Sequence, residues 1–206
     1  MTKLYLVRHG QTTFNAERRI QGQMESELTD EGRAQAELLR NKLKEVGFDA
    51  LYVSPMQRTR ETARILTRGF GLTPVYDDSL KEILMGDWQG RLVEDLEKEY
   101  AVELDVFWHH PENFHRPSGE TYEQLRRRAS HAMEEIVKKH PNRKVLVVTH
   151  GALLKTLYTY FKYQSIHEIA NAPHPHSTGL SVVEKKDGVW TIWEWDNYEH
   201  LNQIKR

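Results

Sequence analysis

The run Lys144–Thr149 (KVLVVT) most constrains what this chain can fold into. Its apolar residues are continuous rather than alternating with polar ones, which fits a strand covered on both faces, the central position of a parallel sheet. Such a strand needs helices on both sides. The rest of the sequence supplies them. Lys3–Val7 and Ala50–Val53 read as strands, the second ended by Ser54-Pro55, and Pro74–Tyr76 reads as a short third. A helix is predicted from Thr29, with Asp30 and Glu31 in its first turn, to about Val46. Ala34, Leu38, Leu39, Leu43 and Val46 would face inward, and Gly47 would stop it. Further helices are predicted from Arg58 to about Arg68, from Glu120 to His140 and from Leu153 to Phe161. Gly179–Glu184 and Trp190–Trp195 flank Asp187-Gly188, a strong hairpin signal. The expectation is an α/β fold, a three-layer α/β/α sandwich. Its mixed, mostly parallel sheet would have about six strands, in one domain over residues 1–206. Residues 101–119 read as a long irregular loop, which in a compact domain is often functional.

Composition narrows the function. Lys plus Arg is 29 and Asp plus Glu is 30, giving a net charge of −1, so a nucleic-acid-coating protein is not expected. There is no cysteine, which excludes disulfides, thiolate metal sites and cysteine nucleophiles. No segment approaches the roughly 18–20 apolar residues of a membrane span. The first residues carry no secretory-signal pattern, so a cytoplasmic protein is expected. Histidine is the unusual count, at 11.

Two predicted strands end in His-Gly: Leu6-Val7-Arg8-His9-Gly10 and Val147-Val148-Thr149-His150-Gly151. In an open α/β sheet, ligands bind outside the carboxyl ends of the strands. If the two strands are neighbours, both imidazoles reach one crevice. Arg58, near the start of a helix after Ser54-Pro55-Met56-Gln57, suits an anion site. Leu80 to Gly90, with Glu82, Trp88 and two glycines, reads as a tight, shaped loop.

Together RHGQT, SPMQRTRETA, LKEILMGDWQG and VVTHG resemble the histidine phosphatase (phosphoglycerate mutase-like) superfamily, in detail its bacterial broad-specificity phosphatase branch. The resemblance runs from Leu4 to about Val183 and implies a metal-independent phosphatase of small phosphomonoesters. It implies His9 as the nucleophile that becomes phosphorylated. Arg8, Arg58 and His150 would hold the transferring phosphoryl group, and Glu82 would be proton donor and then base. Asn15, Gln21, Gly22 and Gly151 would line the substrate pocket. Gln11 departs from the glutamate more usual there and is expected beside the pocket, affecting substrate contacts. No cofactor and no metal are implied. The physical chemistry agrees: neutral imidazole is a competent nucleophile, two arginines can stabilise three phosphoryl oxygens, and a leaving alkoxide needs a proton from one carboxyl group.

The alternatives are a cofactor-dependent phosphoglycerate mutase, or a specialised sugar-phosphate or α-ribazole phosphate phosphatase. Family mutases are typically longer, with an insertion and a C-terminal tail, whereas this sequence ends at Arg206. Small phosphorylated substrates are the expected partners, and free edge strands would permit a homodimer. Of the other histidines, His109, His110 and His115 fall in the 101–119 loop. His174 and His176 form a Pro-His-Pro-His loop with no carboxylate nearby in sequence, and His131, His140, His167 and His200 read as surface or helix-end residues. Glu120 is expected to line the pocket, and Ser118 or Thr121 to cap the helix that follows. Trp190, Trp193 and Trp195 are expected to pack, and Trp88 to shape the site.

Overall fold

The computed structural model describes residues 1–163 and 165–203. The strands are β1 (Thr2–Arg8), β2 (Ala50–Val53), β3 (Pro74–Tyr76), β4 (Lys144–Thr149), β5 (Leu180–Lys186) and β6 (Val189–Asn197). They form one sheet in the order β3-β2-β4-β1-β5-β6. β1, β2, β3 and β4 are parallel, while β5 pairs antiparallel with both β1 and β6. The helices are α1 (Thr13–Ala16), α2 (Asp30–Leu43), α3 (Gln57–Leu66), α4 (Val93–Glu99), α5 (Ala101–His109), α6 (Tyr122–Lys139) and α7 (Gly151–Lys162).

β4 explains the layering. Its four apolar residues are each 0% exposed. Val145 and Val147 pack with Leu125 and Met133 of α6 and Leu153 and Leu157 of α7. Leu146 and Val148 pack on the other face with Leu39 and Leu43 of α2 and Ala63 and Leu66 of α3. A strand between two helical layers cannot place polar residues on either face, so the unbroken run is a consequence of its position. Register then builds the site. Arg8 of β1 lies opposite Thr149 of β4, and Val53 of β2 lies opposite Val148. The residues that follow, His9, Ser54 and His150, therefore emerge side by side at the carboxyl edge.

Local signals placed most helix starts. Thr29 accepts from Gly32 N–H and caps α2, and Thr121 with Gln124 forms a capping box at α6. Several expectations are corrected. Residues 101–119 are not an irregular loop: α5 occupies 101–109 and a 3-10 turn covers Pro111–Asn113. The sequence of α5, AVELDVFWH, is rich in β-branched and aromatic residues of modest helix propensity. Tertiary packing holds it, with the Phe107 ring 6.1 Å from Trp88 and 5.0 Å from Phe114. In α2 the buried stripe is Gly32, Gln35, Ala36, Leu39 and Leu43, while Ala34 is exposed. Trp190 and Trp195 pack against the core, but Trp193 is 63% exposed on the edge strand β6. His200 is not a surface residue; it is 6% exposed and its Nε2 lies 2.9 Å from the Thr178 hydroxyl.

Candidate active site

His9 is 2% exposed at the end of β1. Its Nδ1 lies 2.8 Å from the Gly10 carbonyl oxygen. A carbonyl only accepts, so Nδ1 carries the proton and Nε2 keeps its lone pair. Burial, then the charges of Arg58 and Arg8, hold the His9 pKa well below 6.5, so the ring is neutral at pH 7. Its backbone is fixed from two sides. Gly10 N–H donates to the Thr62 hydroxyl at 3.1 Å, and a Cβ at Gly10 would stand 2.5 Å from the Gly32 carbonyl oxygen. The His-Gly pair thus lets the start of α2 approach the end of β1.

Arg58 is 0% exposed, which lowers its pKa to about 10 and leaves it charged at neutral pH. It donates to the Gly22 and Met24 carbonyls at 2.7 and 2.9 Å. Arg8, its pKa lowered by burial, donates through Nη1 to the Pro175 carbonyl at 2.7 Å. The His150 ring centroid is 5.3 Å from that of His9. Burial and the neighbouring Arg58 and His9 hold its pKa well below 6.5, and its Nε2 is 2.7 Å from the Ser54 hydroxyl. Arg8 Nε, Arg58 Nε and His150 Nδ1 are all buried without a hydrogen-bond partner. Buried polar atoms are rarely left unpaired. Three of them around one neutral imidazole make a cradle for the oxygens of an anion.

Glu82 follows a 3-10 turn at Asp78–Leu80. Its carboxyl oxygens accept from the N–H groups of Ile83, Ala152 and Leu153 at 3.0–3.1 Å, across the first turn of α7. Arg128 of α6 secures this loop, donating to the carbonyls of Ser79, Lys81 and Glu82 while paired with Glu120 at 2.7 Å. Glu120 therefore does not line the pocket as expected; it holds the arginine that holds the loop.

These groups border a cavity of about 160 Å³. Arg8, His9, Arg58, Glu82 and Gly151 line it, as do Asn15, Gln21 and Gly22. Asn15 Oδ1 accepts from Thr12, so its amide Nδ2 is the donor it can offer a ligand. His150 is 0% exposed and is not among the lining residues; its ring packs against that of His9. Gln11 is not part of the lining: its amide oxygen accepts from the Thr29 hydroxyl and its Nε2 donates to Glu31, at the start of α2. The outer wall brings in residues the sequence had not singled out, Arg19, Lys155 and Tyr122, together with Phe107 and Trp108 of α5 and His174. Desolvation, then Arg8 and Lys155, lower the His174 pKa to about 4. Sequence reasoning also missed Ser54, Thr62 and Arg128. The available signal for Ser54 was its position directly after a predicted strand, β2, which pairs with the His150 strand β4. Thr62 and Arg128 lie mid-helix and carried none.

A model of the histidine phosphatase superfamily (branch 1) matches residues 4–198. The chain belongs to that superfamily. It is a phosphatase, a phosphoric monoester hydrolase, as the His-Gly motifs imply. It is 33% identical over 207 residues to a metal-independent phosphoserine phosphatase of Arabidopsis thaliana, an alignment covering 99% of this chain and 85% of the relative. It is 32% identical over 195 residues to a probable phosphoglycerate mutase, GpmB, of Yersinia pestis, covering 95% of this chain and 90% of the other. Its fold matches the structure of Bacillus stearothermophilus YhfR with a TM-score of 0.94 at 34% identity, over 98% of this chain and 100% of that one. Among the described residues of this histidine phosphatase, no helix is long and apolar enough to cross a membrane.

Proposed function

We propose that this histidine phosphatase hydrolyses small phosphomonoesters in two steps through phospho-His9, without a metal ion, in the cytoplasm. The neutral, buried His9 carries this reading, with Nδ1 committed to Gly10, the charges of Arg58 and Arg8 acting on the ring, and the His150 ring packed against it. In the first step His9 Nε2 attacks phosphorus, the bond to the ester oxygen breaks, and Glu82 gives its proton to the leaving alcohol. In the second step a water oxygen attacks phosphorus, the phosphorus–nitrogen bond breaks, and Glu82 takes the water proton. Phosphate leaves and both groups are restored. Arg8 and Arg58 supply the fixed positive charge that phosphoryl transfer needs. Neutral His150 supports them as a hydrogen-bond donor through Nδ1. Glu82 has the single carboxyl group among the described residues lining the cavity, which suits it to both proton transfers.

The cavity volume favours compact esters, with the leaving group against Lys155, His174 and Trp108. The relatives named as a phosphoserine phosphatase and a probable phosphoglycerate mutase support phosphoserine and 3-phosphoglycerate as first substrates to try. The test is phosphate release in excess EDTA by wild-type enzyme and by His9→Ala. Wild type should turn over and incorporate acid-labile phosphate; His9→Ala should do neither. Full activity of His9→Ala would sink the mechanism, and turnover restored only by a divalent ion would remove its metal independence. Formation of 2-phosphoglycerate from 3-phosphoglycerate faster than phosphate release would favour the mutase reading instead.

A further inference from the structure

The Pro173-His174-Pro175-His176 loop does more than close one side of the cavity. We propose that Asp196, a residue of β6, is a positioning residue for Arg8, acting through His176 and the Pro175 carbonyl. The proposal rests on the reading of Arg8 as a ligand of the phosphoryl group.

The geometry is a relay of fixed contacts. Asp196 is 9% exposed. One carboxyl oxygen accepts from His176 N–H at 2.8 Å and the other from His176 Nδ1 at 2.6 Å. The His176 ring stacks on Tyr198, with centroids 3.7 Å apart. One residue back, the Pro175 carbonyl accepts from Arg8 Nη1 at 2.7 Å. Two residues on, Thr178 N–H donates to the Arg8 carbonyl at 3.1 Å. The loop thus grips Arg8 by side chain and backbone, and β6 grips the loop. Pro175 is directly bonded to His176 and its own φ is fixed by its ring, so the position of His176 is passed to the Pro175 carbonyl with little slack.

The sheet is modified at this point. The β5–β6 register slips between Leu180 and Val182, and Asp196 has a left-handed backbone with φ +51°. Its N–H donates to the Ser181 hydroxyl at 2.9 Å. A bulge of this kind re-aims a side chain beside a site. Here it turns the Asp196 carboxyl group toward the loop. Gly179 makes room for it, because a Cβ there would stand 2.0 Å from Asp196 Oδ1. A left-handed residue, a bulge and a glycine contact all serve one carboxyl group, and that group does not line the cavity. Its contacts lead to the one guanidinium nitrogen whose fixing aims Nε of Arg8.

The experiment measures competitive inhibition by inorganic phosphate together with kcat and KM on p-nitrophenyl phosphate and phosphoserine. Asp196→Ala and His176→Ala should each weaken phosphate inhibition about tenfold or more, the scale on which small misplacements of a catalytic group act. KM should rise on both esters alike. Asp196→Asn, which keeps an acceptor for the His176 N–H, should retain most of the affinity. In an Arg8→Met background, Asp196→Ala should have no further effect on phosphate inhibition. If Asp196→Ala does not fold, His176→Ala carries the test, because its side chain is 49% exposed and leaves no core cavity. Normal phosphate inhibition of either folded variant would overturn the proposal. So would effects of Arg8→Met and Asp196→Ala that multiply in full, or a loss confined to one ester. A wild-type enzyme that phosphate does not inhibit would overturn the reading of Arg8, and the latch with it.

Discussion

Ser54→Ala tests the organisation of the site at a residue that never meets substrate. Ser54 and His150 are both 0% exposed, and the 2.7 Å contact between Ser54 Oγ and His150 Nε2 is the one hydrogen bond fixing that ring. His150 is neutral, so one ring nitrogen donates and the other accepts. The proposed donation from His150 Nδ1 to the phosphoryl group requires the Ser54 hydroxyl to donate to Nε2, which leaves the proton on Nδ1, the nitrogen with no protein partner. Removing the hydroxyl has two consequences. The buried Nε2 loses its partner, which costs about 1–3 kcal/mol of stability. In a domain of this size that corresponds to a melting shift of about 2–4 °C per kcal/mol. The ring is also freed to adopt the other tautomer, which turns an acceptor toward the phosphoryl oxygens. Losing one aimed donor in a water-excluded site costs about 10²-fold in kcat, or about 2.7 kcal/mol of transition-state stabilisation. The assay is kcat/KM on p-nitrophenyl phosphate for Ser54→Ala, His150→Ala and the double variant, with melting temperatures alongside. In the double variant Ser54→Ala should add almost nothing, because its effect passes through His150. Wild-type kcat/KM in folded Ser54→Ala would refute the reasoning, as would losses that multiply fully.

Other outcomes follow from the charges. His9, His150 and His200 all have folded pKa values below 6.5, His200 at about 4, chiefly through burial. The unfolded chain takes up protons near pH 6.5 that the folded chain refuses, so their contribution is fully present above that pH and is lost as pH falls below it. His200 alone should remove about 2 kcal/mol between pH 7.5 and pH 5. Urea unfolding at the two pH values measures it, and equal stabilities would contradict the assignment. Lys155 lines the cavity, has its pKa lowered by desolvation, and forms no ion pair with a carboxylate among the described residues. Lys155→Met should raise KM for phosphoserine about fivefold, the scale of a partly exposed ion pair, and leave KM for p-nitrophenyl phosphate unchanged. An equal rise for both would place Lys155 against the phosphoryl group instead.

Much of the site was legible because phosphoryl chemistry uses few residue types in conspicuous settings. A histidine after a run such as KLYLV or KVLVV has an obvious location at a strand end, and an arginine or carboxylate near it has an obvious use. Supporting residues lack that signal. Ser54 looks like the residue before a proline, and Arg128 like one charge on a long helix. Both act on groups distant in the chain: Ser54 on His150, 96 residues on, and Arg128 on the Glu82 carbonyl, 46 residues back. Glu120 was placed in the pocket from its position in the chain and instead belongs to Arg128. Similarly, His176 had no carboxylate near it in sequence, yet Asp196 reaches it across 20 residues from another strand.

The sequence by itself determined the layers and the candidate reacting groups. The unbroken β4 run requires cover on both faces, and His9, His150, Arg8, Arg58 and Glu82 stand in motifs whose chemistry limits what they can do. Only the tertiary structure decided which tautomers, contacts and charge states those groups adopt. It made α5 a helix through aromatic packing that overrides weak propensity, and left Trp193 in solvent by the alternation of an edge strand. It committed the Gln11 amide to Thr29 and Glu31 and tied the Pro-His-Pro-His loop to Arg8. Strand identity is a local property of side-chain pattern. The state of a buried imidazole depends on the field and hydrogen bonds of groups that only folding brings within reach.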